Sequence, residues 1–169
     1  MTKTEKPVIL SFVGHSNSGK TGLITRIIPK IKARGVCVGV VKHACSPIAI
    51  DQQGKDSHRH FESGADPVMI CTENHMALFS KRTSDMALGQ IVQRFYKGSD
   101  LVLTEGFKQE HYPKIEVYRP ENGASPLCME DRSIIAIVTD HYQEWTVPRF
   151  CKDNLDELVD FIYGKVRVA

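Results

Sequence analysis

With 169 residues, 41% of them hydrophobic and 25% charged, the chain has the composition of a folded protein rather than a disordered or fibrous one. Its formal net charge is +2, from 22 basic and 20 acidic residues, which gives no reason to expect nucleic acid or an anionic membrane as a partner. No apolar run approaches the roughly 18 residues of a membrane span, and the N-terminal sequence lacks the features of a signal peptide. We therefore expect a single cytoplasmic domain over residues 1–169, with no membrane partner.

The first part of the chain predicts a strand, a glycine-containing loop, a helix and a second strand. The β-rich apolar run VILSFV (8–13) ends directly at GHSNSGKT (14–21), and GLITRIIPKIKARG (22–35) has the apolar spacing of a helix. The continuous apolar run VCVGVV (36–41) is typical of a strand buried on both faces in a parallel sheet. A polar stretch follows, with a short helix predicted over 56–66.

The second part continues the alternation after a predicted β-hairpin. The hairpin strands are predicted at 67–72 and 75–80, helices at 85–96 and 153–166, and strands at 101–105, 114–119 and 134–140. This order predicts an α/β fold with a doubly wound, mostly parallel sheet and the hairpin as an antiparallel insertion. KIEVYR (114–119) alternates polar and apolar residues, which predicts a half-exposed edge strand. This strand and the loop that precedes it are candidate surfaces for a dimer or partner contact.

The loop GHSNSGKT satisfies the phosphate-binding pattern GxxxxGK[ST] between a predicted strand and a predicted helix, so the expected fold is P-loop NTPase-like. The glycines let successive N–H groups point at phosphate oxygens, and the helix N-terminus adds positive potential. Lys20 is expected to neutralise the β and γ phosphates, and Thr21 to hold Mg²⁺. The residues assigned to the nucleotide here are Gly14, His15, Ser16, Asn17, Ser18, Gly19, Lys20, Thr21 and Gly22.

A magnesium site also needs an acidic residue, and strand direction decides between two. The C-terminal ends of parallel strands share the sheet edge with the phosphate loop, so Glu105, which closes LVLTE, is expected near the phosphates. Asp100 opens that strand, on the order of 16 Å away in an extended chain, and is expected only to begin it. Lys20 and Glu105 are the candidate catalytic residues. The candidate metal ligands are Thr21, Glu105 and, through water, Asp56, although capping a helix explains Asp56 almost as well.

Two further strand ends are candidate nucleotide contacts. Lys42, at the end of the second strand, is placed to contact phosphate or a substrate anion, although strand-end lysines are often only solvated. Asp140, which ends IIAIVTD, can accept hydrogen bonds from N1 and N2 of guanine, which adenine does not offer in the same pattern. The usual guanine motif, N/T-K-x-D, is absent, so the residues favour GTP over ATP only mildly.

In their order along the chain, these segments resemble one known family. The chain is similar to the molybdopterin-guanine dinucleotide biosynthesis adaptor proteins, the MobB family, in FVGHSNSGKT, VVKHA, GKDSHRHFESGAD, LVLTEGFK followed by KIEVYR, and IVTD before DNLDELVDFI. The likeness runs from about residue 7 to 166. TEGFK and GKDSHRH are much more specific to the family than the glycine loop.

The resemblance implies a homodimeric GTPase that binds GTP with Mg²⁺ and assists the guanylyltransferase that joins GMP to molybdopterin. It implies delivery of GTP or of molybdopterin itself to that enzyme, with Gly14 through Thr21 on the phosphates and Glu105 on magnesium. No motif places an arginine or glutamine at the transferring phosphate, and such groups are worth several orders of magnitude in other GTPases. We therefore expect at most slow hydrolysis of GTP to GDP and phosphate, unless a partner completes the site.

Two other functions remain open from the sequence. A small-molecule kinase would use the same loop to transfer a γ-phosphate, but KRTSDM (81–86) is too short for a convincing arginine-rich lid. A metal-delivery GTPase would share the loop and dimerise around a metal, but the chain has no CxxC pair and no histidine-rich tail. Substrate-dependent ADP formation would support the first, and stoichiometric nickel or zinc binding the second.

Overall fold

The computed structural model describes residues 6–44, 49, 51–81 and 86–168. The described residues belong to two compact units. Unit 1 comprises the chain up to His43 and from Leu88 onward, and unit 2 comprises the segment between Ala44 and Ala87. The expectation of one domain over 1–169 stays a prediction. Within the described ranges, no helix is long and apolar enough to cross a membrane.

Strands and helices alternate along the chain. In order, the elements are β1 (Val8–Val13), α1 (Lys20–Lys32), β2 (Val38–Lys42), α2 (Asp56–Glu62), β3 (Val68–Cys71), β4 (Met76–Phe79), α3 (Leu88–Phe95), β5 (Leu101–Glu105), β6 (Lys114–Val117), β7 (Ile134–Val138), β8 (Arg149–Phe150) and α4 (Asp156–Val168). Two short 3₁₀ helices, Pro120–Asn122 and Leu127–Met129, lie between β6 and β7.

In unit 1, the described strands form a six-stranded parallel sheet in the order β2-β5-β1-β6-β7-β8. On one face, Leu10 and Phe12 of β1 pack in a core with α1 and α4. On the other face, Val102 of β5 packs with Leu88 and Val92 of α3. Burying each of these large apolar side chains contributes about 1.5–3 kcal/mol. Helices on both faces of a parallel sheet confirm the predicted α/β doubly wound architecture.

Parallel pairing brings the carboxyl ends of the strands to one edge of the sheet. Glu105, the last residue of β5, pairs with Phe12 of β1 on one side and with Lys42 of β2 on the other. The loop that begins at Gly14 leaves β1 at this edge, and Asp140 follows the end of β7. The fold therefore brings the strand-end residues that were predicted from the sequence to one edge of the sheet.

The prediction of a half-exposed edge strand at 114–119 is wrong. The strand β6 lies between β1 and β7, and its four residues are all buried. Ile115 is 0% exposed and Val117 is 6% exposed. This strand is therefore not available as a dimer or partner surface.

Hydrogen-bonding partners explain why the alternating polar residues of β6 are buried and not exposed as predicted. The ammonium of Lys114 donates to the Lys108 carbonyl at 2.7 Å and to Asp131 Oδ2 at 2.8 Å. The carboxylate of Glu116 accepts from the first two N–H groups of the 3₁₀ helix Leu127–Met129, both at 2.8 Å. A buried charge is tolerated when it is paired and hydrogen-bonded, so these polar residues occupy core positions.

Several element boundaries differ from the sequence prediction. The helix α1 begins at Lys20, inside the glycine motif, and α4 begins at Asp156 rather than at residue 153. The helix α3 begins at Leu88, and residue 85, its predicted start, lies outside the described residues. The strand β8, Arg149–Phe150, has two residues, too few to show a periodic pattern.

Unit 2 contains α2 and the hairpin of β3 and β4. The two strands pair antiparallel, with Met69 opposite Leu78 and Cys71 opposite Met76, which confirms the predicted hairpin. Because side chains alternate along a strand, these four residues share one face. Met69 is 52% exposed, Met76 69% and Leu78 39%, so this face of the hairpin is both apolar and exposed.

Candidate functional site

The loop after β1 depends on glycine at two positions. Gly14 has φ of +142° and Gly19 has φ of +92°, a region that other residues rarely adopt. A Cβ atom on Gly14 would lie 2.3 Å from the carbonyl oxygen of Val117, at the end of β6. The loop backbone therefore packs directly against the neighbouring strand, which leaves no room for a side chain.

Lys20 folds over this loop from the first turn of α1. Its ammonium donates to the carbonyl of His15 at 2.8 Å, to that of Gly14 at 3.2 Å and to Ser18 Oγ at 3.4 Å. Burial lowers the pKa of Lys20, Glu105 opposes that shift, and Lys108 and Lys42 add to it. The ammonium thus lies among other cations in a partly dehydrated position, where a phosphate would stabilise its charge.

Thr21 and Glu105 meet at the mouth of the loop. Thr21 Oγ1 donates to Glu105 Oε1 at 2.8 Å, and the ammonium of Lys42 lies 3.4 Å from the same oxygen. The Glu105 side chain is 14% exposed. A hydroxyl and a carboxylate are the hard oxygen ligands that Mg²⁺ prefers, so the atoms present fit this ion.

Asp100 and Glu105, the two acidic residues considered for the magnesium site, lie at opposite ends of β5. Asp100 precedes β5, and its Oδ2 accepts from the backbone N–H of Cys37 at 2.7 Å, at the opposite end of the strand from Glu105. Asp56 belongs to unit 2, where it is the exposed first residue of α2. Its role as a metal ligand through water stays a prediction.

A pocket of about 400 Å³ lies beside the loop, within unit 1. The loop and α1 contribute Ser18, Gly19 and Gly22, among others, and the remaining lining residues lie at or after the ends of β6, β7 and β8. The charged residues that line it are Arg26, Arg119, Glu121, Asp140 and Lys152. Its volume is in the range of sites for small molecules and cofactors.

Sequence reasoning missed Arg119. Its Nε donates to the carbonyl of Ser18 at 2.9 Å, so the guanidinium braces the loop from the end of β6. Asn122 Nδ2 adds a second brace, donating to the carbonyl of Ser16 at 3.1 Å. Arg119 is the final residue of KIEVYR, and the strand-end rule that selected Glu105 and Asp140 would have found it.

Asp140 lines this pocket as part of a small polar cluster. Its Oδ2 lies 2.5 Å from the ammonium of Lys152, and its Oδ1 accepts from the Lys152 backbone N–H at 3.4 Å. The hydrogen bond from Lys152 is the largest of the effects that lower the pKa of Asp140, so the carboxyl is ionised at neutral pH. Lys152 carries no motif, and only the strand β8 brings it here.

The same cluster holds three possible metal-binding atoms. Those of Asp140, Cys151 and Asp153 lie within 4.8 Å of one another. The Lys152 ammonium occupies Asp140 Oδ2, however, and a cation beside a cation costs Coulomb energy. The cluster is better suited to present a carboxylate and an ammonium than to hold a metal.

Comparison with known proteins was made for the whole chain. Residues 9–140 match the family model described as molybdopterin guanine dinucleotide synthesis protein B, MobB. This chain belongs to the MobB family. Its molybdopterin-guanine dinucleotide biosynthesis adapter relatives include one from Haemophilus influenzae, 34% identical over 91% of this chain and 86% of the relative. Another, from Escherichia coli, is 30% identical over 91% of this chain and 90% of the relative.

Solved MobB structures share the fold. A crystal structure of molybdopterin-guanine biosynthesis protein B superposes with a TM-score of 0.75 at 34% identity, covering 95% of this chain and 99% of the other. A crystal structure of Bacillus subtilis MobB gives a TM-score of 0.74 at 28% identity, covering 94% of this chain and 97% of the other. The predicted P-loop NTPase-like fold and the predicted MobB membership are therefore confirmed.

Proposed function

We propose that this protein is a GTP-binding adaptor of molybdopterin-guanine dinucleotide biosynthesis. It binds GTP with Mg²⁺ in the cytoplasm and assists the guanylyltransferase that joins GMP to molybdopterin. The observation that carries the proposal is the contact between Thr21 and Glu105, 2.8 Å, at the mouth of the glycine loop. In a MobB-family chain, this contact unites the loop with an acid suited to magnesium.

Each part of the site has a role in this proposal. The loop N–H groups and the Lys20 ammonium bind the β and γ phosphates, and Thr21 and Glu105 hold Mg²⁺. When bound, Mg²⁺ would neutralise the negative charge that develops on the phosphate oxygens. The ionised Asp140 carboxylate accepts from N1 and N2 of guanine in the adjoining pocket.

Hydrolysis is proposed to be slow. Both arginines that line the pocket beside the loop donate to backbone carbonyls: Arg119 Nε to that of Ser18 at 2.9 Å, and Arg26 Nη1 to that of Lys152 at 3.0 Å. GTPases without an arginine at the transferring phosphate turn over on the order of 10⁻⁴ to 10⁻³ s⁻¹. A rate in that range, giving GDP and phosphate, suits a protein that holds GTP for a partner.

The adaptor role requires an enzyme of the same pathway as partner. We propose that the partner is the guanylyltransferase, and that GTP or molybdopterin reaches it through this protein. Immobilised protein should retain that enzyme more strongly with GTP than without nucleotide, or change its rate of dinucleotide formation. If neither effect is observed, the protein binds GTP but has no adaptor function.

The first experiment is calorimetry with GTP and ATP in magnesium, on the unsubstituted protein and on Lys20→Ala. We expect GTP-selective binding that Lys20→Ala weakens by about 100-fold, since a charged hydrogen-bonding group is removed. Lys30→Ala is the matched control, because Lys30 lies on the same helix in an exposed ion pair with Asp156. It should bind like the unsubstituted protein.

Three other results would change the proposal. Preference for ATP, with ADP formed only when an acceptor is present, would indicate a small-molecule kinase. Stoichiometric nickel or zinc that survives dialysis would indicate a metal-delivery GTPase. Binding of neither nucleotide would refute the proposed function.

A further inference from the structure

The pocket beside the loop contains a lysine next to the candidate base-binding aspartate. In the motif N/T-K-x-D, a lysine stands two residues before the aspartate. Here that position is Val138, a residue of β7 that is 2% exposed. The structure brings a lysine to Asp140 from elsewhere, because Lys152 follows β8 and lines the same pocket.

The geometry holds the two side chains in a fixed relation. The Lys152 ammonium lies 2.5 Å from Asp140 Oδ2, and the backbone N–H of Lys152 and the thiol of Cys151 approach Oδ1 at 3.4 and 3.5 Å. Both charged side chains remain accessible, at 47% exposed for Lys152 and 42% for Asp140. The pair therefore presents an acceptor and a donor side by side to a molecule in the pocket.

We propose that Lys152 is a specificity-determining residue that selects guanine over adenine. The inference rests on the proposed GTP binding. Guanine presents the N1–H and N2–H donors next to the O6 acceptor, which suits a carboxylate beside an ammonium. Adenine presents an N1 acceptor next to the N6–H donors, so its N1 lone pair would face the carboxylate. Sites built to hydrogen-bond one such pattern reject the other strongly.

Position distinguishes this pair from an ordinary surface ion pair. Lys30 and Asp156 form a contact of 2.7 Å between α1 and α4, with the Lys30 side chain 44% exposed. That pair resembles Lys152 and Asp140 in length and in exposure of the lysine, but neither residue lines the pocket. Lys30→Met is therefore a matched control for Lys152→Met.

The test compares the affinities of GTP, ITP and ATP by calorimetry with magnesium. ITP keeps O6 and N1–H of guanine but lacks the N2 amino group. Losing one charge-assisted hydrogen bond to O6 should lower the ratio of GTP to ATP affinity about tenfold in Lys152→Met. The ratio of ITP to ATP should fall by the same factor, because ITP shares O6. Lys152→Arg should restore both ratios in part, and Lys30→Met should leave them unchanged.

Each result decides between the claims. If Lys152→Met lowers the affinity for all three nucleotides equally, or keeps the preference for GTP, the role of Lys152 is refuted and the proposed function stands. An unsubstituted protein that does not prefer GTP overturns the proposed function, and this inference with it. Thermal unfolding of each variant separates these results from misfolding, since a folded variant keeps a cooperative transition.

Discussion

The hydroxyl of Thr21 donates to the carboxylate of Glu105 at 2.8 Å, joining the end of the glycine motif to the end of β5. These residues are far apart in sequence and meet only because β1 and β5 pair in parallel. Lys42 of β2 reaches the same carboxylate oxygen at 3.4 Å. Three neighbouring strands and one helix thus converge at the position proposed for magnesium.

Glu105→Gln should reduce the dependence of GTP affinity on magnesium. The amide keeps the size of the side chain but removes the negative charge that a divalent cation requires. We expect the gain in GTP affinity on adding Mg²⁺ to fall about tenfold or more, measured by calorimetry with and without the metal. Asp100→Asn is the control, because Asp100 lies at the far end of β5 and bonds Cys37. An undiminished magnesium effect in Glu105→Gln would refute the metal assignment.

Gly14→Ala should destabilise the protein, whereas Gly164→Ala should stabilise it. Gly14 has φ of +142° and a Cβ there would lie 2.3 Å from the Val117 carbonyl. Strain of this kind costs about 1–2 kcal/mol or more, which lowers the melting temperature by roughly 2–8 °C in a chain of this size. Gly164 lies in α4, where an added Cβ would meet no atom beyond the adjoining helix backbone within 4 Å, and alanine there should gain about 0.5–1 kcal/mol. Equal melting temperatures for the two variants would contradict this account of the loop.

Asp131→Asn should destabilise the protein by about 2 kcal/mol at neutral pH. The substitution leaves the Lys114 ammonium, 4% exposed, without its charge partner. Breaking a fully buried pair costs about 3–5 kcal/mol, and less is expected here because the Asp131 side chain is 36% exposed. Urea unfolding measures the difference. Asp160→Asn is the control, since Asp160 is in an exposed pair with Arg34 and should change stability by less than about 0.5 kcal/mol.

The effect of Asp131→Asn should also depend on pH. Burial raises the pKa of Asp131, but hydrogen bonds from Lys114 and Ser133 outweigh it, and the net pKa is lowered. A carboxyl with a lowered pKa stabilises the fold above its ordinary pKa, and that stability is lost as pH falls through the lowered value. The gap between the unsubstituted protein and Asp131→Asn should therefore narrow below about pH 4. A gap that widened in acid would show that Lys114 depends on other groups.

The homodimer that the resemblance to the MobB family implies is predicted to form through the exposed face of the hairpin rather than through β6. Met69, Met76 and Leu78 form an apolar exposed face there, and such faces mark protein contacts more often than chance. The double substitution Met76→Glu and Leu78→Glu should convert a dimer into a monomer in sedimentation equilibrium. Met129→Glu, at a 59% exposed methionine of unit 1, is the matched control. A dimer that survives the double substitution would exclude this face.

The sequence was sufficient to predict those features that depend only on nearby residues. The glycine motif, the run LVLTE and the direction of the strands were enough to predict the edge of the sheet at which four residues lie. These are Thr21, Lys42, Glu105 and Asp140. These features depend on residue type and strand direction, which a sequence contains. Their roles toward nucleotide and metal stay predictions.

The failures share one physical cause, which is dependence on distant partners. Glu116 reads as a solvent-facing residue, yet it is 0% exposed because the N–H groups of Leu127 and Cys128 reach its carboxylate. Burial and this carboxylate raise the pKa of the Cys128 thiol to about 11, so Cys128 is protonated at neutral pH. Lys152 was missed for the same reason, since its position depends on a two-residue strand that no periodicity reveals.

The strand order also determines when the glycine loop can form during synthesis. β1 pairs with β5 and β6, both of which leave the ribosome long after it. The segment between Val13 and Val117, about 100 residues, takes about 5–20 s to make at cellular rates. During that interval Leu10 and Phe12 have no sheet partners, and the loop lacks the Val117 carbonyl on which Gly14 packs. The nascent chain therefore carries the apolar strand β1 uncovered until β5 and β6 have been made, and exposed apolar surface of this kind promotes aggregation.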